Sequence, residues 1–509
     1  MSNIIGIDLG TTFSVIAKLD DTGQARVMLV DGERTMRSCI LVESEENFVV
    51  GNVAYNQVGN RTDSIVRNFK QYMGKEKSYS SDCGTRLTPI SASAKVLKKL
   101  CKEVSKTEGE IQDVVITVPA SFGERERKAT MSAGAEAGLN VINIINEPTA
   151  AILAYSTKHK TKGNIMVYDL GGGTFDVTIA SVNGSDIQCL TSSGSLIGGI
   201  NFDRKIAELI DQKHREKYGR TLREALGLSG VEEGSEEERK NTIWQDLLKD
   251  AEDIKKTLSQ LEKTIVNYLG GPDGPLRCEI TREEFNLAIQ TFVGSAEMRI
   301  ETAMENAGMT PSDIDVVLLV GGSTRVPLVM ESVERIMGKV GSQIINPDEA
   351  VALGAAVYAG VKSAPDKLKP MQRVALAEIT VTDCANHYYG TIAMGVDKRS
   401  GKSMPQVTTI LEKDSPLPCF NSKTFYTRDS DMQWLRFRLC QSAEEEINPD
   451  FVNIVFDKEM GPFPAGRPAD QAIEVTYTYD EDQVMGIELR DVSSGMIFEE
   501  SYKITDNGF

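Results

Sequence analysis

No two of the eight cysteines, at 39, 83, 101, 189, 278, 384, 419 and 440, stand in C-x-x-C spacing. The three histidines, 159, 214 and 387, are far apart in the chain. A zinc ribbon, a thioredoxin-type redox motif, a histidine zinc site and a histidine-dependent triad therefore find no support. Scattered thiols suit a reducing compartment. No run of Lys or Arg exceeds a pair, and 56 basic against 74 acidic residues leave a formal charge of −18. A nucleic-acid binder needs a basic face, so none is expected here. The acidic run 232–238 reads as a solvated face. No apolar run approaches the roughly 20 residues of a membrane-spanning helix. The N-terminal MSNIIGIDLG has no basic region before its apolar residues, so it does not read as a signal peptide. A cytoplasmic protein without membrane contact is expected.

What is present is ordinary globular composition, 40% hydrophobic and 26% charged, over 509 residues. That length suits about three domains. Two segments repeat: IIGIDLGTTFSVIA at 4–17 and IMVYDLGGGTFDVTIA at 165–180. Each is an apolar strand, then Asp-Leu-Gly, then small turn residues, then Phe-x-Val opening a second strand. Duplication of a unit filling residues 1–364 follows. Within each copy, strands (26–30, 114–118, 141–145, 316–320) alternate with helical patterns (93–105, 124–137, 149–155, 201–217, 244–261). Thr281 and Glu284 form a capping-box pattern, and Asn346-Pro347 predicts a helix start. Such alternation implies a mainly parallel sheet covered by helices. A linker is expected over 365–377. Strand-like runs alone follow (423–427, 433–440, 452–456, 472–479, 485–490, 497–504), which predicts an antiparallel sandwich or barrel over 378–509.

Three strand-to-Gly turns present backbone N–H groups suited to anions: Gly10-Thr11-Thr12, Gly171-Gly172-Gly173-Thr174 and Gly321-Gly322-Ser323-Thr324. Neither GxxxxGK[ST] nor GxGxxG opening a helix is present. Asp8 and Asp169 stand where a Mg²⁺-bound polyphosphate needs carboxylates. The reading is a nucleoside triphosphate clamped between two related lobes, the architecture of the actin-like ATPase fold that sugar kinases share.

The strings IGIDLGTTFSV, VVITVPASFGERERKAT, NEPTAAILAY, VYDLGGGTFDVTI, LLVGGSTRVP and NPDEAVALGAAVYAG occur in this order across residues 4–362. The sequence resembles the 70-kilodalton heat-shock chaperone family of DnaK type. That resemblance implies an actin-like ATPase domain (1–364), an interdomain linker (365–377) and a small all-β sandwich that binds peptide (378–509). It implies ATP/ADP, Mg²⁺ and K⁺ as cofactors. Gly10, Thr11 and Thr12 match one phosphate loop, Gly171, Gly172, Gly173 and Thr174 the other, and Gly198-Gly199 a further one. Asp8, Asp169 and Asp176 match acids that organise the metal ions, mostly through water. Lys70 matches the lysine at the γ-phosphate and attacking water, and Glu147 the carboxylate beside them. Catalysis is thus implied for Lys70, Glu147, Asp169 and Thr174. Glu252, Lys255, Lys256, Ser259, Gly321, Gly322, Ser323, Arg325 and Asp348 match nucleoside contacts. Pro119 and Arg127 match a relay to the second domain.

This sequence departs from the family in places. Lys256 replaces an arginine, losing the planar guanidinium that stacks on a base. GGINFD (198–203) lacks the acidic pair common after its glycines, and VALAE (374–378) replaces a Leu-rich linker. ITVTDCANHYYG (379–390) replaces the next signature, and no helical lid is expected after the last strand. TTILEKDSPLPCFNSKTFYT and AIEVTYTYDEDQVMGIELRDVSSG resemble segments of the peptide-binding domain. The function implied is an ATP-dependent chaperone for extended apolar segments of unfolded clients. A J-domain co-chaperone and a nucleotide-exchange factor are its implied partners, and turnover without the former is slow. The alternative is a nucleotide-clasped holdase, scaffold or exchange factor with little turnover.

Overall fold

The computed structural model describes residues 3–111, 113–159, 161–396, 401–481 and 484–502. Strand Ile5–Asp8 runs antiparallel to Phe13–Leu19 and parallel to Asp113–Val118, which pairs with Asn140–Asn146. Ala25–Val27 continues the sheet beyond Phe13–Leu19. A second sheet repeats this plan. Lys162–Leu170 is antiparallel to Phe175–Asn183 and parallel to Val316–Val320, and Asp186–Ser195 extends it. In both sheets the strand carrying Asp-Leu-Gly lies between a parallel neighbour and its own hairpin partner, so Asp8 and Asp169 end at equivalent places.

Helices Glu147–Lys158 and Ala350–Lys362 share a core with both sheets. They are rich in Ala and Gly because nothing larger fits. A Cβ on Gly354 would stand 1.7 Å from the carbonyl oxygen of Ala150 on the other helix. Helices Pro89–Glu108 and Glu124–Glu136 cover the far side of the first sheet. Gly199–Tyr218, Thr242–Leu258 and Arg282–Ala307 pack on the second, around Phe202, Trp244 and Phe285. Thr281 accepts from the Glu284 N–H at 3.1 Å while the Glu284 carboxylate accepts from the Thr281 N–H, the capping box foreseen.

Asn346 does not start the last helix. Its side chain accepts from the Asp348 N–H at 3.2 Å, closing a turn, and the helix begins at Ala350. The stretch foreseen as a linker is also not extended. It holds a 3-10 turn (Pro365–Lys367) and the helix Pro370–Leu376, whose Gln372 and Leu376 are buried. Strand Thr380–Thr382 then adds in parallel to Asp186–Ser195. Pairing with the α/β part thus runs to Thr382, past residue 378 where the all-β part was placed. The segment is β-branched and has an open strand edge to join.

Beyond Asp383 all sheets are antiparallel. One is ordered Ser403–Leu411, Tyr388–Val396, Leu435–Ser442, Asn453–Met460; the other Cys419–Tyr426, Ala472–Tyr479, Met485–Asp491, Ile497–Tyr502. Tyr389, Ile410, Leu439, Tyr477 and Leu489 share one core between them. In Ala472–Tyr479 alternate residues are buried, as a sandwich face requires. The end of the last expected strand, 503–504, lies outside the described residues, as does 505–509. Among the described residues no helix is long and apolar enough to cross a membrane.

Candidate functional site

The glycine loops converge. A Cβ on Gly172 would meet Thr12 Oγ1 at 2.1 Å, so the two Asp-Leu-Gly hairpins face each other at a distance only glycine permits. The Gly198-Gly199 loop folds onto Gly171–Thr174, with the Gly199 N–H donating to Gly171 O at 3.0 Å and the Ile200 N–H to Gly172 O at 2.9 Å. Ser323 Oγ donates to Gly171 O at 2.8 Å, which brings in the loop after Val316–Val320. These turns open on a small cavity of about 90 Å³, lined by Gly10, Thr11, Thr12, Gly171, Gly172, Thr174, Gly321, Gly322 and Asp348 together with Asp8, Lys70, Glu147 and Asp169. Gly173, Gly198 and Gly199 stand behind this lining and shape it.

Charge in this cavity is out of balance. Lys70 lies in the 3-10 turn Phe69–Tyr72, 3% exposed, and its Nζ is 2.5 Å from Oε1 of Glu147, the first residue of Glu147–Lys158. Three further carboxylates surround this single pair. Asp169 and Asp176 stand directly opposite each other in their hairpin, a like-charge pairing that disfavours the sheet. Burial, then the Glu147 charge, pushes the Asp8 carboxyl up to about 7, opposed by Lys70 and a hydrogen bond from Thr117 Oγ1 at 3.2 Å. Burial and Glu147 likewise push Asp176 up to about 7, although the Ser121 N–H donates to it at 3.1 Å. Burial, Glu147, Asp176 and Asp8 hold Asp169 well above the carboxylate range. No three of these oxygens lie within 4.8 Å of one another. The hard oxygen donors and their separation fit a cation that keeps waters between itself and the protein, as Mg²⁺ does. The loops' N–H groups fit the phosphates that would share that cation.

Of the residues matched to a nucleoside, Gly321, Gly322 and Asp348 line this cavity, while Glu252, Lys255, Lys256, Ser259 and Arg325 lie outside its lining. Glu252 is held by Arg37, at 2.7 and 2.9 Å, by Tyr55 OH at 2.6 Å and by Lys256 at 2.8 Å. Against the cost of burial, these cations keep its carboxyl well below the usual range. Arg37 is stacked between the Phe13 and Tyr55 rings, 4.1 and 3.9 Å from their centroids. It joins the first hairpin to helix Thr242–Leu258 and borders a larger cavity of about 320 Å³ that also reaches Thr11 and Thr12. Lys255 bridges Asp203 at 2.7 Å and Gly199 O at 3.1 Å, which fixes the Gly198-Gly199 loop. Ser259 closes its own helix by donating to Lys255 O at 2.9 Å. Arg325 pairs with Asp348 at 2.8 Å. Lys256 and Arg325 are half exposed, with their charges at the rim.

Arg37, Tyr55, Asp203, Thr117 and Ser121 escaped the sequence reading. Thr117 and Ser121 lie within a quoted family string, and Asp203 ends the quoted loop GGINFD, whereas Arg37 and Tyr55 come from segments without a spacing pattern.

Arg127, 2% exposed, donates to Phe122 O at 3.0 Å and to Asn146 Oδ1 at 2.6 Å. Asn146 in turn donates to Asp383 Oδ2 at 2.6 Å, and the Phe122 N–H reaches Pro119 O at 3.1 Å. The pair picked out as a relay thus touches the point where the sandwich begins. Nearby, Tyr389 OH and Tyr479 OH both donate to Glu124 Oε1, at 2.9 and 3.0 Å. Asp414 accepts from Thr191 Oγ1 at 3.0 Å and the Ser192 N–H at 3.3 Å.

Sequence comparison agrees with this arrangement. The profile of the family described as "Hsp70 protein" matches residues 4–84 and 76–507. "Chaperone protein DnaK" of Thermosipho melanesiensis is 33% identical over 501 residues, covering 97% of this chain and 78% of that protein. The DnaK of Halobacterium salinarum is 33% identical over 504 residues, covering 97% of this chain and 73% of its own. The match runs through the loops, the carboxylate cavity and the sandwich alike, so the chain belongs to the Hsp70 family.

Proposed function

We propose that the protein is an ATP-dependent chaperone, with ATP/ADP in the cleft and an extended apolar peptide on the sandwich. The observation that carries this is four carboxylates, Asp8, Glu147, Asp169 and Asp176, buried around the one cation Lys70 beneath converging glycine loops. Such a cluster must either hold protons or meet a bound cation, and a cation beside polyphosphate offsets it at neutral pH. Asp8, Asp169 and Asp176 would hold hydrated Mg²⁺, which supplies neutralisation of the phosphates when bound, and K⁺ would complete the balance. The N–H groups of Gly10–Thr12, Gly171–Thr174 and Gly198–Gly199 bind the phosphates. Lys70 and Glu147 orient the attacking water, with Thr174 and Asp169 beside it. Glu252, Lys255, Lys256, Ser259, Gly321, Gly322, Ser323, Arg325 and Asp348 form the nucleoside side.

The sandwich offers a matching apolar surface. Met394 and Val396 are exposed on one face at the end of Tyr388–Val396, Met404 opposite Gly395 is exposed on the other, and Trp434 is 53% exposed. Such a patch can take an extended peptide through main-chain hydrogen bonds and a side-chain pocket. A J-domain partner and an exchange factor, in a cytoplasmic setting, complete the cycle.

The test is stopped-flow release of a labelled apolar peptide with ATP or ADP, with turnover measured alongside and with a J-domain protein added. Faster release with ATP and stimulated turnover support the reading. Nucleotide binding with neither effect would replace it with a holdase, scaffold or exchange factor.

A further inference from the structure

Strand Asp186–Ser195 carries Cys189, 3% exposed, and the chain leaving strand Thr380–Thr382 carries Cys384, 1% exposed. Their Sγ atoms are 3.2 Å apart. With one oxygen of Asp383 they are the single set of three such donors, among the described residues, lying within 4.8 Å of one another. A tetrahedral thiolate site with metal–sulfur bonds of about 2.3 Å has sulfurs roughly 3.7 Å apart. A disulfide needs about 2.05 Å. The observed separation is nearer the first. The third donor also distinguishes the two cases, since a disulfide has no use for a carboxylate.

Asp383 is positioned as metal-ligating carboxylates are. Its Oδ2 accepts from Asn146 Nδ2 at 2.6 Å and its Oδ1 from the Cys384 N–H at 3.0 Å. Such outer partners fix a ligand's direction. The Arg127 charge also acts on Asp383. It would offset the one negative charge left when two thiolates and a carboxylate surround a divalent ion.

The geometry points to a binding site for a borderline-soft divalent cation of the zinc class, with Cys189, Cys384 and Asp383 as ligands, at the seam between the α/β part and the sandwich. Two thiolates select such an ion over Mg²⁺, so the site is chemically separate from the phosphate cavity. Binding breaks two S–H bonds, forms two metal–sulfur bonds and releases two protons to solvent. Three protein ligands leave one position for water. Because the ligands come from both sides of the seam, the bound ion fastens Thr380–Thr382 against Asp186–Ser195. By reciprocity, that docking raises the ion's affinity.

The test uses the reduced, nucleotide-free full chain with Co²⁺ as a spectroscopic probe and Zn²⁺ for function. One equivalent of Co²⁺ should give tetrahedral visible bands and thiolate charge transfer. It should also protect two of the eight cysteines from alkylation. Cys189→Val with Cys384→Val keeps the packing volume and should abolish both signals. Cys384→Ser alone should weaken binding at least tenfold, as should Asp383→Asn, while Cys83→Ser changes nothing. Zn²⁺ should slow amide exchange of Thr380–Thr382 in the parent and not in the double variant. An octahedral spectrum only, a tetrahedral spectrum that survives in the double variant, or exchange unchanged by Zn²⁺ would each overturn the proposal. So would isolation of a Cys189–Cys384 disulfide from a sample that takes up no metal.

Discussion

The cleft beneath the glycine loops and the seam against the sandwich both bury carboxylates, but they treat them differently. In the cleft, Asp8, Asp169 and Asp176 share one lysine already bound to Glu147, and burial raises all three. At the seam burial also raises Glu124 and Asp414, but Glu124 accepts hydrogen bonds from the Tyr389 and Tyr479 hydroxyls, and Asp414 from Thr191 Oγ1 and the Ser192 N–H. The first region leaves its charge for a ligand. The second answers its charge with its own donors and so acts as a latch. A cluster of buried carboxylates that outnumbers its cations marks a candidate binding site, whereas carboxylates met singly by hydroxyl and amide donors hold an interface.

That contrast can be broken most sharply at Lys70. Lys70→Ala should bind Mg-ATP within an order of magnitude of the parent yet lose roughly 10²–10³ in single-turnover rate, because its charge acts mainly in the transition state. Unchanged turnover would remove Lys70 from the chemistry.

A second effect is read in the pH dependence of stability. Asp8 and Asp176 have folded values of about 7 against an ordinary 3.8. A raised acid costs stability as pH climbs from its unfolded toward its folded value, at about 1.4 kcal/mol per unit. The ligand-free protein should therefore lose thermal stability between about pH 4 and 7, and Asp8→Asn should flatten that fall. Mg-nucleotide should flatten it too. A ligand-free melting temperature that rises across this window would contradict the assignment.

The latch should yield a smaller change. Glu124→Ala strips two buried tyrosine hydroxyls of their acceptor, at roughly 1–3 kcal/mol each. The sandwich should then melt apart from the α/β part in calorimetry. Adding Tyr389→Phe and Tyr479→Phe to Glu124→Leu should restore a single transition. Smallest of all, Lys256→Ala should weaken nucleotide binding less than about fivefold, because its pairs with Glu252 and Asp253 are half exposed. Isothermal titration would check this, and a loss of a hundredfold would make Lys256 a principal contact.

Legibility followed the same divide. The repeated Asp-Leu-Gly placed Asp8 and Asp169 at equivalent sheet positions because strand, turn and carboxylate are contiguous in sequence. Arg37 and Tyr55 are invisible in the sequence because their partner Glu252 lies 215 and 197 residues away and no periodicity marks them. In the sandwich, strands Tyr388–Val396 and Ser403–Leu411 went unread. Gly390 and Gly395 weaken the first, though a Cβ on Gly390 would press within 2.4 Å of Thr408 O. Pro405 speaks against the second, yet that strand is at the sheet edge, where proline is tolerated. Thr380–Thr382 reads as part of the sandwich because its partner edge in the α/β sheet is not visible from composition.

The proposed chaperone cycle requires that the cleft's ligand be felt across the seam. Trp244 is buried on the second sheet's side, and Trp434 is half exposed in the sandwich. In a Trp244→Phe background, Mg-ATP should change Trp434 emission, and Glu124→Ala should abolish the change while leaving nucleotide affinity intact. Trp434 emission that is indifferent to Mg-ATP in that background, with nucleotide demonstrably bound, would contradict the account.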